Sequence, residues 1–188
     1  MSPSLSATHQ PLAIEAELPA GPYRFVRERL RLPMGLEGSF GWLRHPPSVM
    51  VVPQLRDGRV LVLRRYRPAV GWWVWEFPSG TLEPEESPAA GGERLLRELT
   101  GHGGQGWRPL GQLRPNPGYS DELMTLGQLI VEDGVDRPGA DWGAGEGDTP
   151  HCRLLTPQAV EAALSALEEP VDGRSVSAWW LAQRRGNR

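Results

Sequence analysis

The chain has 188 residues and a mass of 20.8 kDa, the size of one domain or of a domain with a short appendage. Hydrophobic residues make up 39% and charged residues 23%, which is ordinary for a globular protein and too apolar for a disordered one. The formal charge of −3 excludes a broad basic face that holds nucleic acid through net charge. All 20 of the Lys and Arg positions are arginine, so a lysine nucleophile and a lysine-based phosphate loop are excluded as well.

Cysteine usage and hydropathy exclude further classes. Cys152 is the single cysteine, which rules out an intrachain disulfide and a thiolate zinc cage. No stretch approaches the roughly 20 apolar residues of a membrane span, and the N-terminus lacks a basic-then-apolar signal. We therefore expect a cytoplasmic protein without nucleic-acid or membrane partners.

The N-terminal part of the chain predicts a small sheet. Residues 1–22 mix Ser, Pro, Thr and Ala without a clear period, so we expect a loose leader. Residues 23–32 alternate bulky and charged side chains, which is typical of a half-buried strand, and residues 39–44 predict a second short strand. We expect residues 23–44 to be an appendage to one domain over residues 45–188.

Strands and turns follow in that domain. Residues 48–55 and 59–66 predict a hairpin around Asp57-Gly58, because Asp-Gly tolerates the positive φ angles of tight turns. Residues 72–77 predict another strand. The remaining predicted elements are strands at 107–113, 123–131 and 153–155, a loop at 133–150, and helices at 156–167 and 175–183.

One helix is predicted between these strands, over residues 87–99. Ser87 can cap its free amides, Pro88 suits its first turn, and Gly101 terminates it. Gly91 and Gly92 each cost about 1 kcal/mol in a helix relative to alanine. They indicate close packing of this helix against a neighbouring element.

Acidic side chains gather around the start of that helix. Glu83, Glu85 and Glu86 precede it, and Arg94 and Glu98 lie within it. A guanidinium forks onto a carboxylate, so Arg94 meets Glu86 if the loop folds back along the helix. Hard oxygen ligands of this kind also suit Mg²⁺ or Mn²⁺ holding a diphosphate. A solvated acidic loop that caps the helix is the alternative.

This segment resembles the Nudix box, a pattern of glycine, glutamate, arginine and paired glutamates at set spacing. The positions that match without a gap are Gly80, Glu86, Arg94, Leu96, Glu98 and Gly101. Residues 63–69, 75–80 and 116–122 are similar to segments of the ADP-ribose pyrophosphatase branch, and the resemblance covers residues 23–181. It implies an α/β/α sandwich around a mixed sheet, and a homodimer whose interface includes the N-terminal strands.

The implied chemistry is metal-assisted hydrolysis of a nucleoside diphosphate linked to another group, with Mg²⁺ or Mn²⁺. The chain departs from the pattern at Leu95 and Leu99, where the family carries glutamates. In the resembling branch these two positions and the carbonyl at Ser79 are the main metal ligands. The remaining candidate ligands are Glu98, Glu86 and the Ser79 carbonyl. Leu95 and Leu99 are four residues apart and share one helix face, so we expect weak metal affinity and weakened turnover.

The resemblance also implies substrate contacts, each with a structural alternative. Arg67 contacts the diphosphate or ribose, or is one member of a charged strand edge. Glu76 lies near the terminal ribose or adenine, or forms a salt bridge at the strand end. Glu122 hydrogen-bonds the substrate, or solvates a turn. Glu146 and Asp148 lie where the branch keeps its catalytic base, or in a solvated loop.

The expected catalytic residues are Glu98 as residual ligand or base and the scaffold pair Glu86 and Arg94. A competing function is a catalytically inactive Nudix-fold protein that binds a nucleotide diphosphate, which Leu95 and Leu99 favour. In a third interpretation, relocated acids such as Glu83, Glu85 or Glu146 complete the metal site of a hydrolase.

Overall fold

The computed structural model describes residues 8–132, 151–166 and 168–186, and these residues form ten strands and three helices. In chain order the elements are β1 (Gln10–Ala20), β2 (Tyr23–Arg31), β3 (Glu37–Arg44), β4 (Ser48–Gln54), β5 (Val60–Arg67), β6 (Trp72–Glu76), β7 (Ser79–Thr81), α1 (Pro88–Thr100), β8 (Gly104–Leu113), β9 (Met124–Val131), β10 (His151–Leu155), α2 (Pro157–Leu164) and α3 (Gly173–Gly186). The chain divides into two compact units, one with residues up to 46 and 114–123, the other with 47–113 and the chain from 124 onward.

The N-terminal unit is an antiparallel sheet in the order β1-β2-β3. The alternation predicted for β2 is present, since Val26, Glu28 and Leu30 are buried while their neighbours are exposed. The expected loose leader is wrong over Gln10–Ala20, because these residues form β1. Two register shifts, near residues 11–13 and 14–16, interrupt the two-residue period that would have indicated a strand.

Strand β1 has no buried apolar face, but it pairs with β2 along nearly its whole length, and cross-strand ion pairs accompany this pairing. The Arg24 guanidinium lies 2.9 Å from the Glu17 carboxylate, and the Arg27 guanidinium lies 3.0 Å from that of Glu15. Opposite charges on facing strands stabilise their pairing. These partners are supplied by β2, so inspection of residues 10–20 alone does not reveal the strand.

The boundary between the units also differs from the expected one. The backbone N–H of Leu43 donates to the carbonyl of Tyr119 at 2.8 Å, and Ser120 forms an isolated bridge with Leu43. Residues 114–123 therefore belong to the N-terminal unit, although they lie far along the chain.

The second unit contains a seven-stranded mixed sheet in the order β10-β5-β4-β9-β8, with β6 on β5 and β7 on β4. Strand β4 pairs in parallel with β9, and the other pairs are antiparallel. The predicted turn at Asp57-Gly58 joins β4 to β5, and Gly58 has a φ of 88°. The pairing in the predicted hairpin is short. Among the described residues, Gln54 and Val60 are the only residues of β4 and β5 that pair with each other. Strand β7 was not predicted.

Helices cover both faces of this sheet. Met50 and Val52 of β4 pack in one cluster with residues of α2 and α3, whereas Val51 packs with Leu96 of α1. Neighbouring residues of a strand face opposite sides, so α1 lies on one face and α2 with α3 on the other. The predicted α/β/α sandwich around a mixed sheet is confirmed.

Helix α1 begins and ends as predicted. The Ser87 hydroxyl accepts from the backbone N–H of Ala90 at 3.2 Å, and Gly101 ends the helix with a φ of 75°. A Cβ atom at Gly92 would lie 2.8 Å from the Trp107 ring, and one at Gly91 would overlap Leu82. The two glycines permit the close packing that their presence in a helix indicated.

The C-terminal helices differ in extent from the prediction. Helix α2 ends at Leu164, earlier than expected, and α3 extends beyond the predicted residues 175–183 at both ends. The Thr156 hydroxyl caps α2 by accepting from the backbone N–H of Ala159 at 3.3 Å. None of the helices in the described ranges has both the length and the apolar character needed to cross a bilayer.

Candidate functional site

The acidic loop before α1 folds back through a tight turn. The backbone N–H of Glu86 donates to the carbonyl of Glu83 at 3.1 Å. Pro84 occupies the second position of this turn, where its restricted φ is favourable, and Glu85 adopts a left-handed φ of 62°. The turn carries the side chain of Glu86 toward α1.

Glu86 and Arg94 form a bidentate ion pair. The Arg94 Nε donates to Glu86 Oε1 at 2.8 Å, and Nη2 donates to Oε2 at 2.7 Å. The backbone N–H of Glu83 donates to the same Oε2 at 2.9 Å. Hydrogen bonding from Arg94 lowers the pKa of Glu86 to about 2. Arg94 also donates to the carbonyl of Thr81 at 3.1 Å, so it joins the loop to the helix.

Arg94 collects the other carboxylates of the segment as well. Its Nη1 lies 3.2 Å from Glu98 Oε2, one helical turn away, and its Nε lies 3.8 Å from Glu83. With Ala90, Glu93 and Arg97, the Arg94 and Glu98 side chains line an open depression of about 470 Å³ on α1. One guanidinium thus contacts three of the acidic side chains that the sequence brings together.

We expect Arg94→Ala to destabilise the fold by about 1–3 kcal/mol, between the values for exposed and buried pairs, because both partners are mostly buried. The loss of folding stability in Arg94→Ala should depend on pH. The folded pKa of Glu86 lies below its ordinary value of 4.5, so the pair contributes its full stability above about pH 4.5. This contribution should disappear as the pH falls toward 2.

Urea unfolding at several pH values, with Arg94→Lys as a control that keeps the charge and loses the fork, measures this effect. A difference between the wild type and Arg94→Ala that is the same at pH 7 and pH 3 would show that the pair does not stabilise the loop.

The two leucines of the motif face the interior. Leu95 is only 7% exposed, and a Cβ at Gly80 would lie 2.7 Å from its methyl carbon. Leu99 is half-buried and packs against the cluster that contains Leu61 and Val131. The helix face that carries carboxylates in the resembling branch is an apolar packing face in this chain.

The described box residues do not fit a divalent cation. Both oxygens of Glu86 accept hydrogen bonds from Arg94, and Glu98 is more than half exposed and paired with the same guanidinium. Ser79 is buried in β7, opposite Met50. Within residues 8–132, 151–166 and 168–186, no three His, Cys, Asp or Glu residues are grouped as a metal site requires. Glu146 and Asp148 lie outside the described residues.

Arg67 and Glu76 lie in the unit that also carries the box, and their side chains bind each other. The Arg67 Nε donates to Glu76 Oε2 at 2.8 Å and Nη2 donates to Oε1 at 2.7 Å. Glu76 is 1% exposed, and its burial raises the pKa of this carboxyl, against the opposing effect of Arg67. The salt bridge considered as the alternative for Glu76 is therefore present, with Arg67 as its partner.

Sequence reasoning did not anticipate the residues that support this pair. The Arg174 guanidinium lies 3.7 Å from Glu76 and donates to Asp172 at 2.8 Å. The Ser175 hydroxyl donates to Asp172 at 2.7 Å and accepts from the backbone N–H of Phe77 at 2.9 Å. A weak signal was available, since Asp is a favoured N-cap residue and Asp172 directly precedes α3, where it accepts from the backbone N–H of Ser175 at 3.2 Å.

Glu122 belongs to the N-terminal unit, whereas the box residues belong to the second unit. It is 7% exposed, and its carboxylate lies 3.8 Å from His45 Nε2. The same unit contains a cavity of about 550 Å³ with aromatic walls, formed by Phe40, Trp42 and Tyr119. Such walls suit a planar ring.

Glu28 and Arg44 contribute a charged pair to the cavity, and the Arg44 guanidinium donates to the buried Glu28 carboxylate. The sequence offered one signal for this cavity, the aromatic residues on β3.

Two curated proteins are similar in sequence to this chain. An ADP-ribose pyrophosphatase of Mycobacterium tuberculosis (strain ATCC 25618 / H37Rv) is 32% identical over 115 residues, which are 61% of this chain and 56% of that protein. An ADP-ribose pyrophosphatase of Bacillus subtilis (strain 168) is 27% identical over 99 residues, 53% of this chain and 54% of that protein. The chain spans about half the length of these curated relatives.

The fold has a solved counterpart. The crystal structure of an ADP compounds hydrolase superposes on this chain with a TM-score of 0.75 and 20% sequence identity. The alignment covers 98% of each chain. Residues 44–180 match the sequence profile of the NUDIX domain, which is most of the chain. The chain therefore belongs to the Nudix family.

Proposed function

We propose that this protein hydrolyses the pyrophosphate linkage of a nucleoside diphosphate joined to another group, with ADP-ribose or a nucleotide sugar as substrate. The rate is well below that of a chain whose box carries all of its carboxylates. The observation that carries the proposal is the intact frame of the box, in which the Glu86–Arg94 fork holds the acidic loop against α1. Similarity to two ADP-ribose pyrophosphatases supports the substrate class.

The proposed reaction is attack of water on phosphorus, with cleavage of the P–O bond to the leaving phosphate and release of a nucleoside monophosphate. Glu98 accepts the proton of the water, because its carboxylate is exposed on the open depression. Glu86 and Arg94 position the loop. Arg67 neutralises part of the diphosphate charge, since its guanidinium is partly exposed while Glu76 holds it.

Glu76 thus orients Arg67 in this proposal. Members of the family generally use divalent metals. The described box residues of this chain do not supply the ligands, so no step of the proposed reaction is assigned to a cation bound there.

A second function is favoured by Leu95 and Leu99, which replace two carboxylates by packed isobutyl groups. In this case the protein binds a nucleotide diphosphate without cleaving it. Both candidates predict binding, and only the first predicts turnover.

A hydrolysis assay separates them. The protein is incubated with ADP-ribose and a set of nucleotide sugars, with Mg²⁺, with Mn²⁺ and with a chelator, and nucleoside monophosphate is measured by chromatography. We expect slow release that Glu98→Gln reduces by about 10²-fold or more, the range for loss of a general base. Glu93→Gln, on the same exposed depression of α1, is the matched control and should retain the wild-type rate.

Calorimetry is carried out with the same compounds. Saturable binding without release of monophosphate would contradict the proposed hydrolysis and support the second function, binding without cleavage. An absence of both binding and release across the set would contradict both candidates.

We further propose that the protein is a cytoplasmic homodimer in which the N-terminal sheet contributes to the interface. Leu18 on β1 and Phe25 on β2 are direct cross-strand partners, and they are 66% and 52% exposed. Ile14 on β1 is also exposed. Adjacent exposed apolar side chains on a sheet are typical of a surface that a second chain covers. A reducing compartment suits the unpaired thiol of Cys152.

Light scattering tests this proposal. We expect a mass of twice 20.8 kDa for the wild type at micromolar concentration and a shift toward monomer in Phe25→Ser. Val70→Ser, a similarly exposed apolar position in the other unit, is the control and should remain dimeric. A stable monomeric wild type would contradict the proposal.

A further inference from the structure

We infer that the Nudix box of this chain holds no divalent cation and that the guanidinium of Arg94 is its resident positive charge. The inference concerns the box alone. It does not depend on whether the protein hydrolyses a nucleotide, because cation binding can be measured without substrate.

The first step is the packing of Leu95. Its side chain is 7% exposed and lies so close to Gly80 that a Cβ there would be 2.7 Å from Leu95 Cδ2 and 3.3 Å from Cδ1. Gly80 follows Ser79, whose carbonyl is the backbone ligand that the resemblance implies. An isobutyl group therefore packs against the residue that follows this carbonyl, and it has no oxygen to replace a water of Mg²⁺.

The second step is the packing of Leu99. This side chain packs against a buried apolar cluster that includes Leu61, Leu63 and Val131. The Cys152 thiol of the same cluster lies 3.6 Å from the carbonyl of Leu99. Burial raises the pKa of Cys152 to about 11, so the thiol stays protonated and is a poor metal ligand. The surroundings of Leu99 offer a cation no replacement for the lost carboxylate among these residues.

The third step is the charge of the remaining acids. Arg94 lies within 4 Å of three carboxylates, at 2.7 Å from Glu86, 3.2 Å from Glu98 and 3.8 Å from Glu83. The Glu86 carboxylate accepts two hydrogen bonds from Arg94 and one from a backbone N–H. A cation that bound here would have to displace the fork of Arg94. The loop is thus organised by an internal cation.

The experiment uses the full-length protein labelled with ¹⁵N and titrated with Mn²⁺, whose unpaired electrons broaden the amide signals of nearby residues. We expect no saturable broadening of the amides of residues 80–99 at millimolar Mn²⁺. A cation held at a hundred times its dissociation constant would also raise the melting temperature by about 5–11 °C, and we expect no such shift from a box site.

A matched pair of variants tests whether the missing carboxylate is the reason that the box holds no cation. Leu99→Glu adds the missing carboxylate at a half-buried position, and Leu99→Gln adds the same size and polarity without the charge. We expect Mn²⁺ to broaden residues 80–99 saturably in Leu99→Glu, with an affinity at least about tenfold above that of Leu99→Gln. The amide spectrum itself shows whether each variant is folded.

Saturable broadening of residues 80–99 in the wild type would overturn the inference, because the cation would then be bound at the box. Broadening confined to other residues, or none, supports it. Equal Mn²⁺ affinity in folded Leu99→Glu and Leu99→Gln would overturn the assignment of the effect to the lost carboxylate. If Leu99→Glu does not fold, the wild-type titration decides. The hydrolysis assay is separate, so its failure leaves these outcomes unchanged.

Discussion

Gly127→Ala is expected to destabilise the protein by about 3 kcal/mol. Gly127 lies on the buried strand β9, and a Cβ there would overlap three carbon atoms of the Trp107 ring. The ring also lies close to Gly92 of α1, where a Cβ would be 2.8 Å from it, so it has little room to shift. The indole therefore occupies a slot that two glycines leave open, and the added methyl group forces the sheet and the helix apart.

Urea unfolding measures this effect. Gly173→Ala is the control, since a Cβ at that position meets nothing within 4 Å. Trp107→Leu in the Gly127→Ala background should recover part of the loss, because a smaller side chain admits the methyl group. A change of less than about 0.5 kcal/mol for Gly127→Ala would show that the slot accommodates a larger residue.

Arg67→Met is expected to destabilise the fold by about 3 kcal/mol at neutral pH. The substitution keeps the length of the side chain but removes both hydrogen bonds to Glu76, which is 1% exposed. Arg174 remains, at 3.7 Å, so the buried charge keeps one distant partner. A buried carboxylate that loses its close partner carries a large desolvation penalty.

The loss of stability caused by Arg67→Met should be smaller at low pH. Burial already raises the pKa of Glu76, and loss of Arg67 raises it further, so the folded variant takes up a proton more readily than the unfolded chain. Protonated Glu76 carries no charge, so the penalty disappears as the pH falls through its raised pKa. Unfolding at pH 7 and pH 5, with Glu76→Gln added to Arg67→Met as the rescue, measures this. A penalty that Glu76→Gln does not relieve would show that Arg67 acts through packing alone.

The box of this chain keeps the spacing of the family motif, while positions 95 and 99 carry leucine. Glu86 and Arg94 bind each other and Gly101 ends the helix, so these parts of the loop and helix do not depend on carboxylates at positions 95 and 99. Leucine is as good a helix former as glutamate, so α1 forms equally well with either residue at positions 95 and 99. Leucine and glutamate differ here in that only glutamate gives the helix a carboxylate that could bind a cation.

Local signals in the sequence were sufficient for much of the fold. The alternation in β2, the cap at Ser87 and the glycine at 101 depend on residues within a few positions of each other, and each prediction is confirmed. Gly91 and Gly92 likewise indicated close packing, although not their partners. The spacing of the box placed the chain in its family, because that spacing is set by one strand, one loop and one helix in succession.

Only the tertiary structure decided which distant residues meet. Strand β1 depends on arginines that β2 supplies, and β4 pairs with β9 and not with most of β5. Arg67 has many acidic residues to choose from in the sequence, and only folding places Glu76 in its fork. Burial is also a property of the packed molecule. The sequence determined that positions 95 and 99 lack carboxylates, and the packing of α1 on the sheet buried Leu95 and placed the half-buried Leu99 against an apolar cluster.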